Sequence, residues 1–287
     1  MRTVGWTKGS RVDPEPSEHE ARHREAGRCV EHAAARVDAA ADGESRTSLF
    51  IGVDALCDTA VRLSGVDGAA VAVLTASTRV RELVFATNAV AQQIDELQFV
   101  LGEGPCLDAY RFDRPELCAQ LDTGSMAARW PAFVTETVAL DVRAVFAIPI
   151  PGAQRPIGVL ELYRSRSGDL GADELQSATT CAGVVGATMT ANWNRHVTLA
   201  GSTAAALDAA AVAGAGLDES DDPFDRSQVY MAAGMVAVQL AVSPEAGLDR
   251  LRAYAYGAGR AITAVAADIA ERRLSLRHLR DDQGTDI

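Results

Sequence analysis

Apolar residues recur along this chain with two different periods, and each change of period marks a change of structure. Ala26, Val30, Ala33, Val37 and Ala40 are spaced alternately four and three apart, so they line one stripe of a helix that opens at a capping box of Ser17 and Glu20. Leu49, Val53, Leu56, Ala60 and Leu63 repeat the spacing and predict a second helix over Ser48 to Ser64. The period then shortens. Ala69 to Leu74, Glu82 to Ala86, Arg143 to Ile150 and Ile157 to Tyr163 are short runs rich in β-branched and aromatic residues, which predict strands. The last two flank Pro151 to Pro156, whose Pro and Gly mark a hairpin. A long helix follows from about Ala172 to Trp193, with Leu175, Ala178, Ala182, Val185 and Met189 on one face.

The stretch 200–223 combines Gly, Ala and an acidic cluster ending at Pro223, a composition that buries little and reads as a linker. Beyond it, Arg226 to Leu240 and Ser243 to Ala258 predict two helices, the second opened by Ser243 as N-cap with Pro244 in its first turn. Leu248, Leu251, Ala255 and Ala258 form its stripe, and a third helix starts near Thr263 with Val265, Ala266, Ile269 and Ala270 apolar. The expected organisation is a tail and helix over 1–45, a mixed domain over 46–195, a linker over 196–223, a three-helix module over 224–280 and a tail over 281–287.

Charge sharpens this division. The 287 residues carry a formal net charge of −12, which argues against a chain that coats nucleic acid or anionic membrane along its whole length. From Arg226 to Arg280, however, eight arginines face four acids, a local net of +4 that leaves −16 for the rest. Such asymmetry fits either a nucleic-acid-binding end or a solvated helix face with its usual arginines. The first 16 residues hold no apolar run of the kind a secretory signal needs, so the expected location is the cytoplasm.

Candidate chemistry is sparse. The five cysteines include no C-x-x-C pair, and the five histidines lack metal-ligand spacing, so no metal site is expected. No histidine lies between His32 and His196 to support a serine triad, and no catalytic residue is assigned. Gly102-Glu103-Gly104-Pro105-Cys106 lacks the lysine of a phosphate loop and reads as a turn. Cys106 is either a reactive thiol at a helix N-terminus or a buried side chain, and Trp130, Phe146 and Tyr163 either line a ligand pocket or fill the core. In the C-terminal module, Tyr254 and Tyr256 with Arg252 and Arg260 offer aromatic faces and guanidinium groups of the kind single-stranded RNA loops require.

Two resemblances gather these observations. Val229 to Leu274 resembles the ANTAR family: its first signature falls on Ala232, Ala233, Gly234, Met235 and Val236, its second on Ser243, Pro244, Glu245, Leu248, Leu251, Arg252 and Ala255, and its third on Thr263, Val265, Ala266 and Ile269. Many members carry a lysine where this chain has Ala233. Phe99 to Ile150, continued by Gly158 to Leu175, resembles the GAF domains of actinobacterial GAF and ANTAR proteins, over roughly residues 46–195 in all. The resemblances imply an α+β fold in which an antiparallel, PAS-like GAF sheet flanked by helices precedes a small all-α three-helix ANTAR domain.

The function they imply is a homodimeric regulator of transcription antitermination. Its GAF domain would sense a small ligand or a redox state, through a pocket near Cys106, Trp130, Phe146 and Tyr163, and its ANTAR domain would bind hairpin loops in nascent mRNA through Arg252, Tyr254, Tyr256 and Arg260. Helices near 18–41, 48–64 and 172–193, with heptad-like stripes, are the expected dimer surface. Two other readings stand beside it: C-terminal helices that contact protein rather than RNA, and a GAF-type methionine sulfoxide reductase using Cys106 and Cys118.

Overall fold

The computed structural model describes residues 49–75, 81–208 and 226–274; the expected helix near 18–41 and the body of the linker lie outside them. Five strands form one antiparallel sheet: β1 (Gly68–Leu74), β2 (Arg81–Ala86), β3 (Glu116–Cys118), β4 (Ala144–Ile150) and β5 (Gly158–Arg164), in spatial order β2-β1-β5-β4-β3. The hairpin predicted at Pro151 to Pro156 joins β4 to β5 and pairs Ile150 with Gly158, Phe146 with Leu162 and Val145 with Tyr163.

That register assigns the two faces, because neighbours along a strand point to opposite sides. One face, with Val71, Phe146, Ile148, Leu160 and Leu162, is covered by α1 (Val53–Ser64) and α6 (Ala172–Ala200) in a single core. Val53, Leu56, Ala60 and Leu63 of α1 and Ala178, Ala182 and Val185 of α6 are all buried there. The stripes that suggested a dimer surface are therefore spent on the chain's own sheet, which corrects that expectation for these two helices.

The opposite face carries elements that the sequence pattern did not announce: α2 (Ala89–Leu101), α3 (Pro105–Phe112), α4 (Gly124–Arg129) and α5 (Pro131–Ala139). Asn88 caps α2 by accepting the Ala91 N–H, and Gly102 ends it at φ 68°, a left-handed conformation that costs glycine little. Toward the C-terminus, α6 runs past residue 195 to Ala200, into the segment read as linker.

The last three helices, α7 (Ser227–Leu240), α8 (Pro244–Gly257) and α9 (Ile262–Ala270), fall where the periodicity placed them. Ser243 caps α8 by accepting the Ala246 N–H, with Pro244 in the first turn. Their core gathers Val229, Ala232, Val236, Leu251, Ala255 and Ile269, and it takes in Phe99 from α2. The crossing of α7 and α8 is close enough that a Cβ at Gly247 would lie 2.4 Å from the Ala233 carbonyl oxygen. Gly247→Ala must therefore push two backbones apart, and a loss of about 1 to 3 kcal/mol in the unfolding free energy of these helices is expected, measured by urea denaturation.

Candidate functional site

On β5, Leu160 and Leu162 point toward α1 and α6, which leaves Glu161 on the other face with Val159 and Tyr163. Its cross-strand neighbours are Ala70 on β1 and Ala147 on β4, two small side chains that leave room for a carboxylate. Glu161 is 4% exposed. The Gln98 amide of α2 donates to both of its oxygens, at 2.7 and 2.8 Å. The Gln98 carbonyl oxygen in turn accepts the Cys106 backbone N–H at 2.8 Å, tying α2 to the first turn of α3. Gly104 makes this possible, since a Cβ there would come within 2.5 Å of the Gln98 side chain.

Beside this pair lies Arg81, the first residue of β2 and 1% exposed. Its Nη2 pairs with Asp95 of α2, while its Nε and Nη1 are buried without a hydrogen-bond partner. The second Asp95 oxygen accepts from Nη2 of Arg226, at 2.7 Å, and the same Nη2 reaches Glu96 at 2.9 Å. Arg226 Nη1 donates to the Arg81 carbonyl, and the Tyr230 hydroxyl both accepts the Arg81 N–H at 2.7 Å and donates to the Arg81 carbonyl at 2.9 Å. A continuous polar chain thus runs from Arg81 of the sheet through Asp95 to the start of α7.

Phe99, one turn beyond Asp95, sits under two cations. The Arg226 guanidinium lies 3.9 Å from the ring centroid and that of Arg252 lies 4.9 Å away, while Tyr230 meets the ring edge-on at 6.1 Å. At the far end of the same interface the Tyr256 hydroxyl donates to Glu136 of α5 at 3.1 Å.

The residues singled out from the sequence are dispersed. Cys106 packs with Ala72, Leu107 and Tyr110, whereas Trp130 and Tyr163 belong to a neighbouring apolar patch on the same face. Phe146 lies on the opposite face, because the hairpin register sets Val145, not Phe146, against Tyr163; the four do not line one pocket. Nor is this face apolar throughout, since Glu161, Gln98 and Arg81 are buried on it. Burial raises the Cys106 thiol far above its ordinary pKa and pushes Cys118 up to about 12. Both are therefore poor nucleophiles near neutral pH.

In the C-terminal helices, Arg252 and Tyr256 are four residues apart and share the face of α8 that meets α2 and α5, while Tyr254 packs on the core of the three helices. Arg260 is exposed and pairs with Asp268 at 2.5 Å. Among the described residues, no group of three or more His, Cys, Asp or Glu is arranged to hold a metal ion.

Burial pushes Glu161 up to about 7 from an ordinary 4.5, against the pull of Arg81. A carboxyl that holds its proton more tightly when folded loses stability as pH rises through the interval between the two values, here about 4.5 to 7, by roughly 3 kcal/mol in all. Urea unfolding of the parent and of Glu161→Gln from pH 5 to 8 checks this. The parent is expected to lose stability relative to the variant as pH rises, and parallel curves would remove Glu161 as the titrating group.

Residues 53–190 match the family model described as a GAF domain, a family of ligand-sensing regulatory domains. Similar solved structures include the GAF domain of a phosphoenolpyruvate-protein phosphotransferase from Coxiella burnetii, at 14% identity over 62% of this chain and 97% of that one, with a TM-score of 0.44. The GAF-B domain of DevS from Mycobacterium smegmatis is 16% identical over 53% of this chain and 98% of its own, with a TM-score of 0.37. Free methionine-R-sulfoxide reductase from Neisseria meningitidis is 10% identical over 68% of this chain and 99% of its own, with a TM-score of 0.43. No curated protein matches. Over residues 53–190 the chain is a GAF domain, and three further helices are docked on its α2.

Proposed function

We propose that this chain is a signal-responsive RNA-binding regulator of transcription antitermination, in which the GAF domain receives a small ligand and α7 to α9 act as an ANTAR module on hairpin loops of nascent mRNA. The observation that carries the coupling is the buried Arg81–Asp95–Arg226 chain, which joins the polar cluster on the sheet face to the first residue before α7. A ligand that engages Arg81 or Glu161 competes for the charges that hold the module in place. The RNA half of the reading rests on the ANTAR resemblance and on the net +4 of the segment from Arg226 to Arg280.

In the docked arrangement Arg252 and Tyr256 face the sensor, so this is the RNA-excluded state, and the signal acts by releasing the module. Ligand is the favoured input over redox, since the Cys106 and Cys118 thiols are held protonated. The protein acts in the cytoplasm and performs no catalysis of its own. The resemblance also implies a homodimer, whose surface must be one other than the buried stripes of α1 and α6.

A second reading is that α7 to α9 contact protein alone, and the engagement of Arg252 with Phe99 and of Tyr256 with Glu136 favours it. Gel shifts of the full chain with a pool of randomised-loop RNA hairpins separate the two. Arg226→Gln should bind at least about tenfold more tightly than the parent, since binding is weakened by the fraction of molecules held in the incompetent state. Tyr256→Ala in that background should lose about 1 to 3 kcal/mol if the ring, freed from Glu136, stacks on a base. A folded Arg226→Gln protein that binds no hairpin leaves only the protein-contact reading.

A further inference from the structure

Between the last turn of α2 and the outer face of α8 lies a half-open cleft of about 260 Å³. The GAF side contributes Val100, Leu101 and Gly102; α8 contributes Asp249, Arg252, Ala253 and Tyr256. Most of this wall is apolar, and two opposite charges stand on it. Arg252 is the under-compensated one. Its side chain is 15% exposed, one side of its guanidinium is turned to the Phe99 ring, and its Nε is buried without a hydrogen-bond partner. Among the described residues it has one ion pair, to Asp249, which is long at 3.4 Å, and the Asp249 side chain is 74% exposed. Burial draws the Arg252 pKa below the ordinary arginine value, as expected of a cation short of counter-charge.

The other acids nearby are already engaged. Glu103 accepts the Ala132 and Phe133 backbone N–H groups, and Glu136 accepts the Tyr256 hydroxyl. An anion entering the cleft would pair with the Arg252 guanidinium but stand against Asp249 with nothing to relieve it. A cation would meet Asp249 but leave the buried Nε unpaired beside a second positive charge. A molecule bearing both charges close together, with an apolar body, answers both groups at once. The volume lies just under the roughly 300 to 1,000 Å³ of sites for drug-sized ligands, which sets a small occupant.

We infer that this cleft is a small-molecule site separate from the polar cluster on the sheet, and that it takes a free α-amino acid with an apolar side chain. The carboxylate pairs with Arg252, the ammonium with Asp249, and the side chain lies against Val100, Leu101, Ala253 and the Tyr256 ring. Because its two walls belong to the GAF domain and to the C-terminal helices, the occupant favours the docked arrangement in proportion to its occupancy. The inference does not require that the helices bind RNA.

Isothermal titration and thermal melting of the full chain test it, using L-leucine and L-phenylalanine as probes against 4-methylpentanoate and 3-methylbutylamine, which carry one charge each. At least one amino acid should bind and raise Tm, with each single-charge analogue at least about tenfold weaker, the loss of one charged hydrogen bond. Ala253→Trp fills the cleft from an exposed position and should abolish binding in a protein that a cooperative thermal melt shows to be folded; Arg252→Gln should weaken it as much as removing the ligand's carboxylate does. Absence of binding by both amino acids, an analogue that binds as tightly as leucine, or a folded Ala253→Trp protein with parental affinity would each overturn the assignment.

Discussion

Asp95 holds two guanidinium groups that stand 145 residues apart in the sequence, and the docking of the C-terminal helices depends on that one carboxylate. It is buried with both partners, Arg81 at the start of β2 and Arg226 just before α7. Desolvating three charges is costly, and replacement of such a triad by apolar side chains can be neutral or stabilising. What the triad supplies is direction. An apolar patch can slide against another, whereas Asp95 has two oxygens and each must meet its own arginine, so α7 can dock on α2 in one register only. Phe99 then fills the core of the three helices with a side chain that belongs to the GAF domain, and Arg226 and Arg252 stack over its ring.

The same carboxylate places the C-terminal helices in electrostatic reach of the GAF domain's interior. Arg81 sits between Asp95 and the Glu161–Gln98 pair, with two of its donors unpartnered, so a change in charge near Glu161 acts on the group that positions Asp95. Charge can pass this way because the sheet is built around it. Ala70 and Ala147 flank Glu161, and Gly104 lets Gln98 lie flat over it. Bulky residues at those positions would exclude the Glu161 carboxylate and the Gln98 amide.

Strong periodicity made much of this fold legible. Four strands, the Pro151 to Pro156 hairpin, α1, α6 and the three C-terminal helices carry helical stripes or short β-rich runs that their burial explains. The helices over the second face do not. In α2 the buried side includes Asp95 and Gln98 beside Ala91, Ile94 and Phe99, so a polar pair interrupts the stripe that would reveal it. The same substitution of polar for apolar hid the site: Glu161 reads as an outward residue of an otherwise apolar strand, though its parity with Tyr163 shows which face it takes. Phe146 was grouped with Tyr163 by composition, and only the inter-strand register separates them. Arg226 counted toward the charge of the C-terminal segment, yet its partner is 131 residues away, a separation no local pattern reports.

The central claim is that Asp95 and Arg226 act as a unit to hold the C-terminal helices on the GAF domain. A double-mutant cycle of Asp95→Asn and Arg226→Gln, read by equilibrium unfolding of the full chain, measures that coupling directly. Each single substitution is expected to cost about 3 to 5 kcal/mol, because it strands a buried charge, and the double substitution is expected to cost less than the sum by a margin of at least about 1 kcal/mol. Additive losses would contradict the account and leave the docking of α7 to Phe99 and its apolar neighbours alone.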